Sequence, residues 1–166
     1  MCIQTSIRAL AVAIGICAVS SQAQAQAPAR FGFDVDIVLS PRAAERLRAT
    51  KEGITVDASY SGDPKPGAEK QANEIGSISL GVERILRPGQ AGRVHVSGET
   101  IESGRLAWIQ GEVRVNVNVY SSRRHGGDNI LNCDFIDAEV AKVVAAQPIR
   151  LRCALITEHA DTALKP

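Results

Sequence analysis

The sequence lacks most of the signals by which a function is recognised. It contains no G-x-S-x-G nucleophile elbow, no H-E-x-x-H zinc motif and no phosphate-binding glycine loop. Its one methionine is Met1, and its three histidines, His95, His125 and His159, are far apart in the chain. A soft copper site of His, Cys and Met ligands therefore lacks its ligands. The sequence thus predicts no metal and no cofactor, and it disfavours an enzyme.

An excess of charge of one sign is also missing. The chain has 19 Lys and Arg residues against 18 Asp and Glu, a net charge of +1. Removing residues 1–25 would take away Arg8 and no acid, which leaves 18 residues of each sign. This balance argues against a nucleic-acid partner and against general attraction to an anionic membrane.

No apolar run is long enough for a membrane span. The longest, residues 9–18, covers about ten residues, whereas a spanning helix needs roughly twenty. It follows Arg8 and precedes the small-residue site Ala23-Gln24-Ala25, which is the layout of a cleaved secretory signal. We therefore expect residues 1–25 to be removed, and residues 26–166 to form a single periplasmic or secreted domain.

Cysteines are few, and the predicted cleavage halves their number. Cys2 and Cys17 lie in the signal, and Ile16 stands where a lipoprotein signal needs a small residue, so lipidation is the disfavoured alternative. Cys133 and Cys153 remain, each on the apolar parity of a strand-like run. An exported domain with two cysteines most simply forms one disulfide. Closing a loop of about twenty residues would stabilise the fold by roughly 3 kcal/mol.

Alternating apolar residues are abundant in the rest of the chain. In Glu112–Tyr120 every odd position is valine and every even one is polar or amphipathic, which is typical of a strand with one buried face. Similar alternation marks strands at 31–39, 54–60, 78–86 and 93–97. The repeated strands and turns predict an all-β fold, an antiparallel β-sandwich of about seven to eight strands with one or two short helices.

The predicted helices and loops complete this fold. Ser40 is predicted to cap a helix that begins at Pro41, and Asp137 to cap a second short helix. For this second segment a strand is the alternative, because its valines are poor helix formers. Residues 61–73, rich in proline and glycine, are predicted to form a mobile exposed loop. Gly111 is either a bulge in one long strand, which we favour, or part of a hairpin turn. We expect an ordered core over 30–158 and a frayed tail over 159–166.

The densest functional candidate is the loop Arg123-Arg124-His125-Gly126-Gly127. Two guanidiniums and an imidazole beside flexible glycines can converge on a carboxylate, phosphate or sulfated sugar. The plainer alternative is a solvated hairpin loop. Ser121 or Ser122 with His125 and Asp128 supply the residue types of a hydrolase triad, but side chains so close in one loop rarely reach that geometry.

Three further arginines extend this candidate. The solvent-facing positions of two predicted strands include Arg114 on one and Arg150 and Arg152 on the other. These arginines would form a basic stripe if the two strands were neighbours. The alternative is ordinary pairing with Glu112 or Asp134. The predicted anion site therefore comprises Arg123, Arg124, His125, Arg114, Arg150 and Arg152.

Asp34 and Asp36 share one face of the first predicted strand. One interpretation is that they bind a cation. The interpretation we favour is that their charges prevent an edge strand from pairing with other chains and aggregating.

The leading functional hypothesis is an exported, non-catalytic β-sandwich that binds a protein or an envelope component through end loops or a strand edge. The alternative is a small anion-binding or ligand-binding protein, or a hydrolase, that uses the Arg123-Arg124-His125 loop.

Overall fold

Strands are the main regular element in the computed structural model, which describes residues 30–124 and 127–166. The predicted signal peptide, with Cys2 and Cys17, and His125 of the candidate loop lie outside the described residues. The strands are β1 (Phe33–Leu39), β2 (Gly53–Pro64), β3 (Ile78–Pro88), β4 (Gly92–Val96), β5 (Ile109–Ser121), β6 (Leu131–Cys133), β7 (Phe135–Glu139), β8 (Ile149–Leu155) and β9 (Leu164–Lys165). The α-helices are α1 (Pro41–Thr50) and α2 (Val140–Ala146), and short 3-10 helices cover Glu69–Gln71, Ser103–Trp108 and Ile156–Glu158.

Two sheets pack face to face, which confirms the predicted β-sandwich. Sheet A has the strand order β4-β1-β8-β6, and sheet B has the order β3-β2-β5-β7-β9. The alternating residues place one apolar face of each sheet in a shared core. Large side chains at its centre include Phe33, Ile54, Tyr60, Leu80, Ile136 and Leu151. The β1–β8 and β7–β9 pairs are parallel, so the sheets are mixed rather than purely antiparallel.

The stretch after Tyr60 is more regular than its composition predicts. Strand β2 continues through Gly62 to Pro64, and a 3-10 turn follows at Glu69–Gln71, so the prediction of an irregular loop from residue 61 is wrong there. The glycine is needed because a Cβ on Gly62 would lie 2.8 Å from the side chain of Ile109. Pro64 is the last residue of β2, and the backbone contact with the neighbouring segment is made by the next residue, whose N–H donates to the carbonyl of Trp108 at 2.9 Å.

Gly111 is a bulge, as favoured above. Strand β5 runs without interruption from Ile109 to Ser121, and its pairing with β2 shifts in register around this glycine. Ser61 pairs with Arg114, whereas Asp63 pairs with Gln110, so β5 contains extra residues at this point. Gly111 has φ +71°, a left-handed conformation that glycine adopts at no steric cost.

The run from Leu131 to Asp137 crosses from one sheet to the other. Its first part, β6, belongs to sheet A and its second, β7, to sheet B, with Asp134 between them. The crossing changes which alternate residues face the core. The alternation that begins with Leu131 and Cys133 predicts that Phe135 is buried, but Ile136 is buried instead. Asp137 lies within β7, and α2 begins only at Val140, so the prediction that Asp137 caps this helix is wrong.

The C-terminal tail is attached to the sandwich rather than frayed. Strand β9 pairs in parallel with β7, Phe135 opposite Leu164 and Ile136 opposite Lys165. The backbone N–H of Phe135 also donates to the carbonyl of Ala163, at 3.1 Å. This pairing joins the last residues of the chain to sheet B.

The predicted disulfide is confirmed. Cys133 of β6 and Cys153 of β8 are directly opposite in an antiparallel pair, with their Cα atoms 4.0 Å apart and their sulfurs bonded. The bond closes a loop of sequence separation 20 that contains the sheet crossing and α2. Within residues 30–124 and 127–166, no helix has the length and apolar character to cross a membrane.

Candidate functional site

The predicted anion-binding residues do not converge on one site. Arg114 lies on β5 in sheet B, whereas Arg150 and Arg152 lie on β8 in sheet A. Each alternates with buried residues, so these side chains face opposite outer surfaces of the sandwich. The basic stripe is therefore not formed, because its condition, that the two strands are neighbours, is not met. His125, the sixth residue of the set, lies outside the described residues.

Two of these arginines form cross-strand ion pairs instead. A guanidinium nitrogen of Arg114 lies 2.9 Å from Asp137 on the neighbouring strand β7. Nε of Arg152 lies 3.2 Å from the buried carboxylate of Asp134, one of the two partners that the alternative interpretation named. These pairs engage part of each guanidinium in a contact within the protein.

Asp34 and Asp36 are also paired. Nδ1 of His95 lies 2.8 Å from Asp34, and Arg93 donates to both carboxylate oxygens of Asp36, at 2.8 and 3.1 Å. The hydrogen bond from Arg93 and the nearby charges of Arg93 and Arg150 lower the pKa of Asp36 below its usual value. Strand β1 lies between β4 and β8, so the interpretation that these aspartates protect an edge strand is wrong.

Arg123 and Arg124 are adjacent in sequence but turn to different surfaces. Arg123 adopts a left-handed conformation with φ +54°, and its guanidinium carbon lies 5.9 Å from the centre of the Tyr120 ring. It lines a concave surface of sheet B together with Asp57 and Asn118. Arg124 instead lines a groove beside α1. The left-handed residue between β5 and the rest of the loop explains why the two side chains separate.

We name this second surface the end groove. It has a volume of about 670 Å³ and lies between α1 and the turn that joins β3 to β4. Its lining residues are Pro41, Ala44, Glu45, Leu47, Arg48, Lys51, Glu52, Pro88, Gly89, Gln90, Ala91 and Arg124.

The local sequence builds both walls of the end groove. The N–H of Ala43 donates to Oγ of Ser40 at 3.0 Å, which caps α1 as predicted, and Lys51 closes the helix in a left-handed conformation. The opposite wall needs Gly89, because a Cβ there would lie 2.3 Å from the carbonyl oxygen of Glu52. Glycine thus permits the β3–β4 turn to pack against the C-terminal end of α1.

Basic side chains prevail at the rim of the end groove. Arg48, Lys51 and Arg124 face two acids, Glu45 and Glu52. The Glu52 carboxylate already accepts backbone N–H groups, from Gly53 at 2.8 Å and from Arg124 at 3.1 Å to each oxygen. Its charge is therefore partly compensated by the protein, and the three cations outweigh what remains.

Sequence reasoning found only Arg124 of this site. Arg48 and Lys51 belong to a helix with little apolar content, which the pattern marks simply as a surface helix. A basic pair in the last turn of a helix and a Pro-Gly turn about forty residues later are the relevant signals. Neither indicates by itself that the two segments meet, because that contact depends on the packing of β3 against β2.

The serines of the triad hypothesis have structural partners. Ser121 is buried, and its hydroxyl donates to Oδ1 of Asn129 at 3.1 Å and accepts the N–H of Ile130 at 3.0 Å. The hydroxyl of Ser122 lies 2.9 Å from that of Thr55. The role of His125 stays a prediction. No family model, curated protein or solved structure matches the chain.

Proposed function

We propose that the protein is a non-catalytic binding module of the cell envelope that holds an acidic, partly apolar segment of a partner protein in the end groove. The observation that supports this function best is the groove itself, which joins an apolar lining to three cationic side chains. Arg48 lies in the last turn of α1, Lys51 caps the C-terminal end of that helix, and Arg124 comes from the loop that the sequence singled out.

The size and chemistry of the end groove suit such a segment. Ligand sites are typically concave, about 300–1,000 Å³, and mostly apolar with a few placed polar groups. Here Pro41, Ala44, Leu47, Pro88 and Ala91 supply apolar surface. Arginine and lysine at the rim favour carboxylates, and arginine binds them through two parallel hydrogen bonds. A segment that alternates leucine-like and glutamate-like side chains would satisfy both parts.

The backbone of Arg124 is held in place before any partner arrives. Its N–H donates to both carboxylate oxygens of Glu52, which ties the loop to the end of α1. Binding therefore costs less ordering of this loop than of a loop without such an anchor. The signal-like N-terminus and the disulfide support an envelope location, because disulfides persist in oxidising compartments.

The test is a titration of the mature protein with a fluorescent peptide that alternates leucine and glutamate, followed by fluorescence anisotropy. Arg124→Ala should weaken binding about tenfold or more, because a hydrogen bond between charged groups contributes roughly 1.5–3 kcal/mol. Added salt should weaken binding to the wild-type protein as well.

Arg123→Ala is the matched control, since Arg123 is the neighbouring residue and faces another surface. It should leave the affinity of the peptide within a factor of about two of the wild-type value. If Arg124→Ala leaves the affinity for the peptide unchanged, or if only Arg123→Ala abolishes binding, the peptide does not bind in the end groove and the proposal is wrong. The same two variants can then be compared for retention of envelope proteins.

A further inference from the structure

Part of strand β3 is an open sheet edge. β3 is the first strand of sheet B and pairs only with β2. Its N-terminal part is covered, because the N–H of Glu102 donates to the carbonyl of Leu80 at 2.8 Å and Arg105 donates to that of Ser79 at 2.9 Å. Over residues 82–87, no other segment of the described chain bonds to the backbone on that side. Such an edge is a template for another strand.

The open segment also exposes apolar side chains. Val82 and Leu86 are 47% and 59% exposed, and they lie on the outer face of sheet B on either side of Arg84. Arg84 pairs with Asp57 of β2 at 2.7 Å, so its charge is compensated within the protein. The edge is thus less strongly protected by charge than its sequence suggests.

We propose that this edge pairs with the same edge of a second copy, antiparallel and centred on Ile85, so that two sandwiches share one continuous sheet. In this register Glu83 lies opposite the partner's Arg87, and Arg87 lies opposite the partner's Glu83. Within its own copy the Glu83 carboxylate accepts the N–H of Ser97 at 2.9 and 3.0 Å, the hydroxyl of Ser97 at 3.1 Å and the N–H of Gly98 at 3.0 Å, but none of these donors is a cation, so its charge is not paired. Ile85 lies opposite the partner's Ile85 on the same face. Opposite charges and apolar side chains in directly facing positions stabilise an antiparallel pair.

The charge pattern selects this register over its neighbours. A twofold axis perpendicular to the sheet keeps the core faces of both copies on the same side of the shared sheet. Such an axis lies between a residue and its own copy in the partner, so each possible register is named by that residue. An axis through Arg84 would place two arginines opposite each other, and an axis through Leu86 would leave Glu83 without a facing cation. The centre at Ile85 is therefore the one that pairs both charges, and this self-complementarity favours a second copy over an unrelated strand.

The end of the paired segment is marked by the sequence. Pro88 ends β3, and proline has no N–H to extend a ladder. At the other end, Gly81 lies against the Thr100 backbone, where a Cβ would come within 2.2 Å of the Thr100 oxygen. The open stretch between these limits has the length of an ordinary strand.

The first test is the mass of the mature protein in solution, measured by sedimentation equilibrium over a range of concentrations. The wild-type protein should form a dimer, and Arg87→Glu should raise its dissociation constant at least tenfold, because glutamate would then face the partner's Glu83. Arg46→Glu is the matched control, a charge reversal on an exposed position of α1, and it should leave the dimer unchanged. A wild-type protein that stays monomeric throughout would overturn the proposal.

The second test fixes the register by oxidation of single cysteines. Ile85→Cys should give a covalent dimer, because its two copies face each other across the axis. Leu86→Cys is more exposed but is offset from its own copy by two positions, beyond the reach of a disulfide, and should cross-link far less. Equal or reversed yields would overturn the proposed pairing. Arg124→Ala should not affect either test, so failure here is separate from failure of the end groove.

Discussion

At the scale of single residues, Asp134 has the most demanding position. Its side chain is 1% exposed and lies where the chain crosses from sheet A to sheet B. It accepts the N–H of Ala163 at 2.8 Å and that of Arg152 at 3.1 Å, and Nζ of Lys165 lies 3.5 Å away. Burial raises the pKa of Asp134, but these hydrogen bonds and the charge of Lys165 outweigh it and keep the pKa below its usual value.

Asp134→Asn should therefore lower the free energy of unfolding by about 2–3 kcal/mol at neutral pH, because the amide keeps only one acceptor oxygen for the buried N–H groups of Ala163 and Arg152. The folded pKa of Asp134 is lowered, so its stabilising contribution is complete above the unfolded value of about 3.9 and is lost as the pH falls through the folded value. Guanidinium unfolding at a series of pH values measures this. The difference between wild type and Asp134→Asn should shrink in acid.

Asp137→Asn is the control for this change. Asp137 is three residues further along and pairs with Arg114, but its side chain is 49% exposed. An exposed pair contributes less than about 1 kcal/mol. A loss as large as that of Asp134→Asn, or a gap between Asp134→Asn and wild type that stays constant down to low pH, would contradict the role assigned to Asp134.

At the scale of elements, α1 is tied to the C-terminal part of the chain by Ser40. Its N–H donates to the carbonyl of Cys153 at 2.8 Å, and its hydroxyl donates to Glu158 at 2.6 Å while capping Ala43. The hydrogen bonds from Ser40 and from the N–H of Leu155 lower the pKa of Glu158. One serine therefore begins the helix and also fixes it against sheet A.

Ser40→Ala should lower the free energy of unfolding by about 1–2 kcal/mol, since it removes the helix cap and one partner of Glu158. Thr50→Ala, at the other end of α1, removes a hydroxyl that bonds only to the carbonyl of Arg46 and should cost less than about 0.5 kcal/mol. Chemical unfolding of both variants measures the difference. Equal effects would show that the cap is not what holds α1.

The same scale shows why some elements were predictable and others were not. Periodicity over Glu112–Tyr120 and the cap at Ser40 are local signals, so β5 and α1 followed from them. The crossing at Asp134 did not, because Leu131, Cys133 and Phe135 keep one parity through it. Only the burial of Ile136 reveals the reversal, and that depends on a strand pairing with β5 that no neighbouring residue specifies.

At the scale of the whole molecule, convergence of side chains is the least predictable property. The alternation of apolar and polar residues correctly placed Arg114 and Arg150 on solvent-facing sides of their strands. It does not tell which sheet a strand joins. The cysteine pair was predictable because it required only two cysteines at core-facing positions of strands, and the sequence has no other cysteine after residue 25. The end groove was not, because α1 and the β3–β4 turn meet only once both sheets are assembled.

The whole chain also carries a prediction about its processing. If residues 1–25 direct export, the protein recovered from the periplasm of a bacterial host should begin at Gln26 and retain Cys133 and Cys153 as its cysteines. Its intact mass under non-reducing conditions should be two hydrogens below that of the reduced residues 26–166. Reduction should restore the two hydrogens and lower the free energy of unfolding by about 3 kcal/mol, the contribution expected for a loop of this length. A recovered mass that includes residues 1–25 would contradict the signal peptide, an added lipid would point to Cys17, and two free thiols would contradict the disulfide.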